Sequence, residues 1–427
     1  MRIRAITIGS LIPFLYNTLS SFMEEKLETF NHLNEDLIER FHDLDIEVQS
    51  RRLCSQPLFS YEEKSFYKKN LQETLKELGT QFEILLNLIQ NYHIDYLASC
   101  SMLAYEFENF GPFEKLFLEE VPHFLQKYEN LFTSLPVAST YDGINFSALK
   151  SGAKIIKRLS SPEPFDNLKF CISSNVLPNT NTPFFPASYH FADNPSFSIA
   201  IEMADEVVKV FEAAKNINDA RDLLKRRFNK IYDQLIPICT EVSKNHNIHF
   251  NGLDFSPAPF PKYERSIGTA IEKLGIDYFG APGSLLGVSI ITDSIPYEKQ
   301  KVIGFSGFMQ PIFEDYTLAK RLKEDRYSLD TLLLYSTMCG TGLDCVPLPG
   351  NITERELFYI LLDMCTISVK LNKPLTARLM PIPNKGPGDE VEFDFEYFAP
   401  SKVMDIRRLK EGQKNDLFSS NEKSFNF

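Results

Sequence analysis

The chain of 427 residues contains no tryptophan. Its aromatic bulk comes from 36 phenylalanines, side chains that need no polar partner when buried. Positive charge is in short supply: 45 Lys and Arg stand against 57 Asp and Glu, a formal net charge of −12. Nucleic-acid binding calls for a basic face, so this balance argues against a nucleic-acid partner. The seven cysteines show no CxxC pair and no regular spacing. An odd, dispersed set reads as reduced thiols in a cytosolic protein rather than as a disulfide framework. Nowhere do 18 apolar residues run uninterrupted, so no membrane span is expected. Arg2 and Arg4 before AITIGSLIPFL mimic a weak signal peptide, but Thr7, Gly9, Ser10 and Pro13 interrupt the run. A buried strand over residues 3–8 is the expectation there.

Familiar catalytic signatures are missing too. There is no GxxxxGK[ST] phosphate loop, and GFSG at 304–307 is not a GxSxG elbow. In CGTGLDC, Cys345 stands where the third glycine of a dinucleotide fingerprint belongs. His246 and His249 have helix-turn spacing but no local carboxylate or cysteine, which favours a solvated helix end over a metal site.

What is present is a 43% apolar chain, enough for a sizeable core, in which strand and helix patterns alternate. Helical spacing joins Phe30, Leu33, Leu37 and Phe41. Ile46 and Val48 suggest a strand, and Ser60 with Glu63 a capping box. Further helices are expected at 113–132, kinked at Pro122, and at 145–158, 266–274, 284–294 and 329–339. Thr353 and Glu356 make a second capping box. Strands are expected at 94–98, 168–173, 197–201, 252–256, 278–279, 302–305, 343–346 and 375–380. About ten strand candidates and no linker point to one α/β barrel domain over residues 1–408, with helices outside and a polar tail at 409–427. An open doubly wound sheet with a helical cap is the alternative.

In parallel α/β folds, ligands bind where strands end. Asn175, Glu202, Asp254, Ser256, Ser306, Asp344 and Arg378 are expected there. Arg378 suits a bidentate clamp on a carboxylate or phosphate, and the alternative is a structural ion pair. Asp254, Asp344 or His190 would serve as acid or base, although aspartates after strands also cap turns. Cys339 sits near a helix C-terminus, where the dipole disfavours a thiolate, so its reading divides between nucleophile and small buried side chain. The Gly280–Ser284 run reads either as an anion-binding helix entry or as a tight turn. Residues 178–195 hold four prolines and read either as a lid or as a packed surface loop.

IRAITIG (3–9), GLDFSPAP (252–259), FGAPGS (279–284), GFSGFMQPIFED (304–315), CGTGLDCVPLPG (339–350) and TARLMPIP (376–383), followed by Gly388 and Asp389, together resemble the domain of unknown function 711 family. The likeness spans most of the chain and is weakest over residues 10–160 and in the tail. It implies a ten-stranded α/β barrel like that of pyruvate formate-lyase and anaerobic ribonucleotide reductase. The glycyl-radical chemistry of those enzymes does not carry over, because residues 386–427 hold no RVxGY-type loop. Asp254, Ser256, Glu314, Asp315, Cys339, Asp344 and Arg378 match the family pattern.

These readings combine into an expectation of a cytosolic, non-radical enzyme acting on a small anionic metabolite. Arg378, Ser256, Ser306, Asn175 and Glu202 would bind substrate. Asp254, Asp344, His190 and Cys339 would be the catalytic candidates, and residues 178–195 would close the site. A divalent metal on Glu314 and Asp315, with Asp254, is a further expectation. The alternative is a metabolite-binding or regulatory module without catalysis. A homo-oligomer is compatible with either.

Overall fold

Short apolar runs and longer amphipathic ones alternate along the chain and fold as strands and helices. The computed structural model describes residues 1–14, 19–58, 70–99, 101–106, 112–338, 340–410 and 416–427. Its first elements are β1 (Arg2–Gly9), α1 (Leu19–His42), β2 (Arg51–Cys54), α2 (Leu71–Asn91) and β3 (Tyr96–Ala98). Next come α3 (Pro112–Lys127), β4 (Leu131–Ser139), β5 (Gly143–Asn145), α4 (Phe146–Leu159), β6 (Phe170–Ser174), β7 (Ser196–Glu202), α5 (Ala204–Ala213) and α6 (Ile217–His246). They are followed by β8 (His249–Ala258), α7 (Ile267–Lys273), α8 (Ser284–Asp293), α9 (Tyr316–Lys323) and α10 (Leu329–Ser336). The order ends with β9 (Gly342–Pro349), α11 (Glu354–Leu371), β10 (Leu375–Ile382), β11 (Glu390–Val391), β12 (Ser401–Lys402) and β13 (Ser424–Phe425).

Local chemistry sets several boundaries. The Thr353–Glu356 box forms: the Glu356 N–H donates to Thr353 Oγ1, and the Thr353 N–H donates to Glu356 Oε2. Gly275 follows α7 in the left-handed region at φ 88°, which most side chains resist. Other boundaries differ from expectation. Val48 makes only an isolated bridge to Ile3, and the strand proper is β2, a few residues later. The helix expected at 113–132 stops at Lys127, because LFTSLPVAS pairs with β3 and β6 as β4. Tyr278 and Phe279 form no strand. The Ser60–Glu63 box lies outside the described residues.

The main sheet has the order β8-β7-β1-β2-β3-β4-β6-β10-β9. Strands β1, β2, β3, β4 and β6 run one way, while β7 with β8 and β9 with β10 run the other. The closed ten-strand ladder expected from sequence does not form, because β8 and β9 do not pair. Between them lies the segment 302–311, which makes one parallel bridge to each: Leu253 with Val302, and Pro311 with Asp344. This segment holds Gly304 at φ 69° and Ser306 at φ 37°, conformations that interrupt a regular ladder. The architecture is a mixed α/β fold with a large, mostly parallel sheet and helices around it.

Period-two alternation divides the sheet's two faces. Leu375, Ala377 and Leu379 of β10 pack in the same core as the helices, whereas Met380 and Ile382 pack with Phe313 and Phe398 on the opposite face. Likewise Leu53 and Leu97 face the helices, while Cys54 and Ala98 face Phe185. The second face is therefore covered by irregular chain, chiefly residues 182–190 and 305–313. That is why β10 is buried along its whole length. The largest fully buried side chains are all phenylalanines, Phe30, Phe197 and Phe255 among them. Each contributes about 2–3 kcal/mol of burial free energy. Residues 416–427 also dock: β13 pairs with β5, and Asp416 accepts from the Tyr359 hydroxyl. No helix among the described residues is long and apolar enough to cross a membrane.

Candidate functional site

The second face of the sheet carries a partly open cavity of about 140 Å³. Its charged lining groups are Arg4 from β1, Arg52 from β2, Asp254 from β8, Arg378 from β10, and Glu314 from the irregular chain before α9. β-bulges, which re-aim side chains, place most of them. The β1–β7 register slips between Ile3 and Ala5, so Ile3 and Ile6 both face the helices while Arg4 turns inward. The β9–β10 register slips opposite Arg378, where Asp344 and Cys345 occupy the space of one residue and Cys345 takes φ 49°. A third slip between β7 and β8 falls beside Asp254 and Ser256.

The charges form an alternating chain. Arg265 pairs with Glu202, and Glu202 with Arg4 at 3.3 Å. Arg4 pairs with Glu314 at 2.6 Å, and Arg378 donates to Glu314 at 2.9 Å and to both oxygens of Asp344, one of them at 2.8 Å. Burial alone would raise the Glu314 carboxyl, but the guanidinium groups of Arg378 and Arg4 outweigh it and hold Glu314 below its usual range. For Asp344 burial wins over Arg378, and its carboxyl is raised. Burial also works against the charge of Arg378, yet Asp344, Cys345 and Glu314 keep its pKa well above the ordinary arginine value.

Arg52 stands apart from this chain. Its Nε donates to Ser50 Oγ at 2.9 Å, and its guanidinium lies 5.1 Å from the Phe185 ring centre and 6.0 Å from that of Tyr96. Tyr96 is its direct neighbour across the β2–β3 ladder. Among the described residues, no carboxylate forms an ion pair with it. Burial lowers its pKa to about 10, so it stays charged at neutral pH.

The expected site residues divide into three groups. Arg378, Asp254 and Ser256 line the cavity together with Glu314, while Asp344 and Glu202 sit behind it as partners of the arginines. Asp254 is heavily engaged: it accepts from the N–H and Oγ–H of Ser256 and from the N–H groups of Phe305 and Ser306. Burial nonetheless raises its carboxyl. A Cβ on Gly304 would come within 2.1 Å of Asp254 Oδ2, so the glycine is what lets that carboxylate approach the loop. Ser306 serves the same loop, with its Oγ accepting from the Phe255 N–H.

The second group lies elsewhere. Asn175, at φ 53°, bonds Thr140 and Ser368 and holds a turn. His190 is buried against Gly9 and lines no part of the cavity. Asp315 caps α9, accepting from the N–H groups of Thr317 and Leu318 and from Ser266 Oγ–H. It therefore does not converge with Glu314 on a metal. Among the described residues, the grouping with metal-ligand spacing is Glu314, Asp344 and Cys345. Arg378 already supplies the cation those carboxylates need, and burial keeps the Cys345 thiol protonated. Cys339 alone makes up the third group and lies outside the described residues.

Residues 178–195 supply a wall. Pro183, Phe184 and Phe185 line the cavity, Thr7 Oγ1 donates to the Pro183 carbonyl, and the His190 N–H donates to the Ser55 carbonyl. The expected binding mouth at the strand C-termini does not exist as such, because the strands run in both directions. The cavity sits instead on the face of the sheet. Arg4, Gln49, Arg52 and Tyr96 are lining residues that sequence reasoning missed. For Arg4 the signal was an arginine inside the largely apolar run IRAITIG; RRLC, half arginine, gave no such signal for Arg52.

With this geometry in view, the relatives are informative. A UPF0210 protein of Pyrobaculum aerophilum is 29% identical over 420 residues, covering 95% of this chain and 90% of the relative. A UPF0210 protein of Halothermothrix orenii is 26% identical over 394 residues, 88% of this chain and 83% of the relative. One of Methanopyrus kandleri is 25% identical over 417 residues, 95% and 91% respectively. The family model described as "Uncharacterised ACR (DUF711)" matches residues 1–401, and the chain belongs to that family.

Proposed function

We propose that the cavity binds a small organic anion from the cell's metabolite pool and that the protein works on, or responds to, that ligand in the cytoplasm. The observation that carries this reading is Arg52, a cavity-facing guanidinium beside two rings that has no carboxylate partner among the described residues. A cation in low-dielectric surroundings attracts an anion far more strongly than one in water. The fold reading goes with it: the sheet is a barrel in which segment 302–311 stands as the tenth stave, and the cavity is the barrel's interior.

The test is a thermal-shift screen of small carboxylates and phosphates on the wild type and on Arg52→Gln. At least one compound should raise the wild-type Tm, and Arg52→Gln should lose that response while keeping its own fold. A screen in which no anion stabilises the wild type, or in which the variant responds equally, sinks the reading.

Catalysis at the same cavity has one observation in its favour. Asp254, whose carboxyl burial raises, lines the wall beside Ser256. A raised carboxyl is a candidate for proton transfer. Mass spectrometry of the bound ligand after prolonged incubation decides the matter, because recovery of unchanged ligand alone leaves a binding module.

A further inference from the structure

Resting on the anion-binding reading, we infer that the ligand is a flat monocarboxylate, aromatic or conjugated, rather than a dianion such as a phosphate or dicarboxylate. Two independent features of the cavity lead there, its charge balance and the character of its walls.

The charge balance comes first. Arg265, Glu202, Arg4, Glu314, Arg378 and Asp344 alternate in sign along one connected chain. Each guanidinium in it has a carboxylate partner, and none is left over. Asp254 is satisfied by four N–H and O–H donors. Among the described residues, Arg52 is the cavity's one guanidinium without a carboxylate partner, so the cavity offers a single ion pair, to one negative charge. A second negative charge on the ligand would face Glu314 and Asp254 with no cation of its own, and buried unpaired charge is costly.

The walls come second. Phe132, Phe184, Phe185, Phe305, Phe395 and Tyr397 line the cavity. Phe184 meets Phe305 edge to face at 5.4 Å, and Phe132 meets Phe185 at 5.6 Å. The volume of about 140 Å³ is close to that of an engineered apolar cavity of about 150 Å³ that holds benzene. Aromatic walls favour a planar guest through offset and edge contacts. The Arg52 fork, already stacked between Phe185 and Tyr96, matches a carboxylate in two parallel hydrogen bonds.

Calorimetric titration tests this with benzoate, cyclohexanecarboxylate, phthalate and inorganic phosphate as probes, on the wild type, Arg52→Gln and Arg52→Lys. Benzoate should bind at least about tenfold more tightly than each of the other three. Arg52→Gln should abolish benzoate binding, and Arg52→Lys should weaken it because the planar fork is lost. Circular dichroism checks that each variant is folded. If phthalate or phosphate binds more tightly than benzoate, and does so through Arg52, the inference falls while the anion site stands. If cyclohexanecarboxylate matches benzoate, flatness is not selected and the inference also falls. If no probe binds the folded wild type, the anion-site reading falls with it.

Discussion

Arg378 shows how one residue can carry two readings and how geometry separates them. From sequence it suits a clamp for a ligand anion. In the fold its Nε and Nη2 donate to Asp344 and Glu314. Replacing it with alanine would leave the buried Asp344 carboxylate without a cation beside Glu314, which would keep only Arg4. Removing one partner of a buried ion pair costs about 3–5 kcal/mol. Arg378→Ala should therefore lower the urea midpoint strongly, at an unchanged slope. Loss of ligand binding with full stability would instead return Arg378 to the ligand-clamp role. Arg52 is the opposite case, since its removal orphans no carboxylate. Its position escaped sequence reasoning because the strand was expected three to five residues too early, and because Phe185, one of its stacking rings, comes from a distant loop.

At the scale of elements, the C-terminal residues are held by a small set of contacts. Asp416 accepts from Tyr359 Oη–H and from Arg355 on α11, and Lys150 on α4 donates to the Ser420 carbonyl. The hydrogen bond from Tyr359, reinforced by Arg355, pulls the Asp416 carboxyl well below its usual range. A depressed carboxyl stabilises docking above its ordinary pKa of about 4, and that contribution is lost only as pH falls through the lower folded value. Asp416→Ala should free residues 416–427 to limited proteolysis at neutral pH. The wild-type tail should keep its protection down to about pH 4. Equal cleavage of both proteins at neutral pH would show that β13 pairing alone holds the tail. Helix starts such as Thr353–Glu356 were legible because a cap is a contact between near neighbours. The β4 strand was not, because its apolar run is short enough to extend a preceding helix and only pairing with β3 and β6 decides it.

At the scale of the molecule, segment 302–311 joins the open edges of the sheet without ladder pairing. Its Phe305 and Ser306 N–H groups donate to the Asp254 carboxylate, and the Gly307 N–H donates to Ser256 Oγ. Bonds to side chains at a wall of the cavity open more readily than a ladder flanked by strands on both sides. In hydrogen-exchange mass spectrometry, residues 304–307 should exchange well before β1 and β10, and a bound anion should slow them. Protection equal to that of β1 would show that the segment behaves as a full stave of the sheet.

The alternation of short apolar runs and amphipathic stretches determined by itself that this is an α/β protein. Periodicity of burial and local capping act over a few residues and are written directly in the chain. The run of motifs from GLDFSPAP to TARLMPIP also carried Asp254, Ser256, Glu314, Asp344 and Arg378, five of the residues now found in or behind the cavity. Tertiary structure alone decided their roles. Which carboxylate each arginine meets depends on register slips between strands far apart in sequence. Among the described residues, the cavity's one guanidinium without a carboxylate partner can be recognised only after Arg4 and Arg378 have been paired.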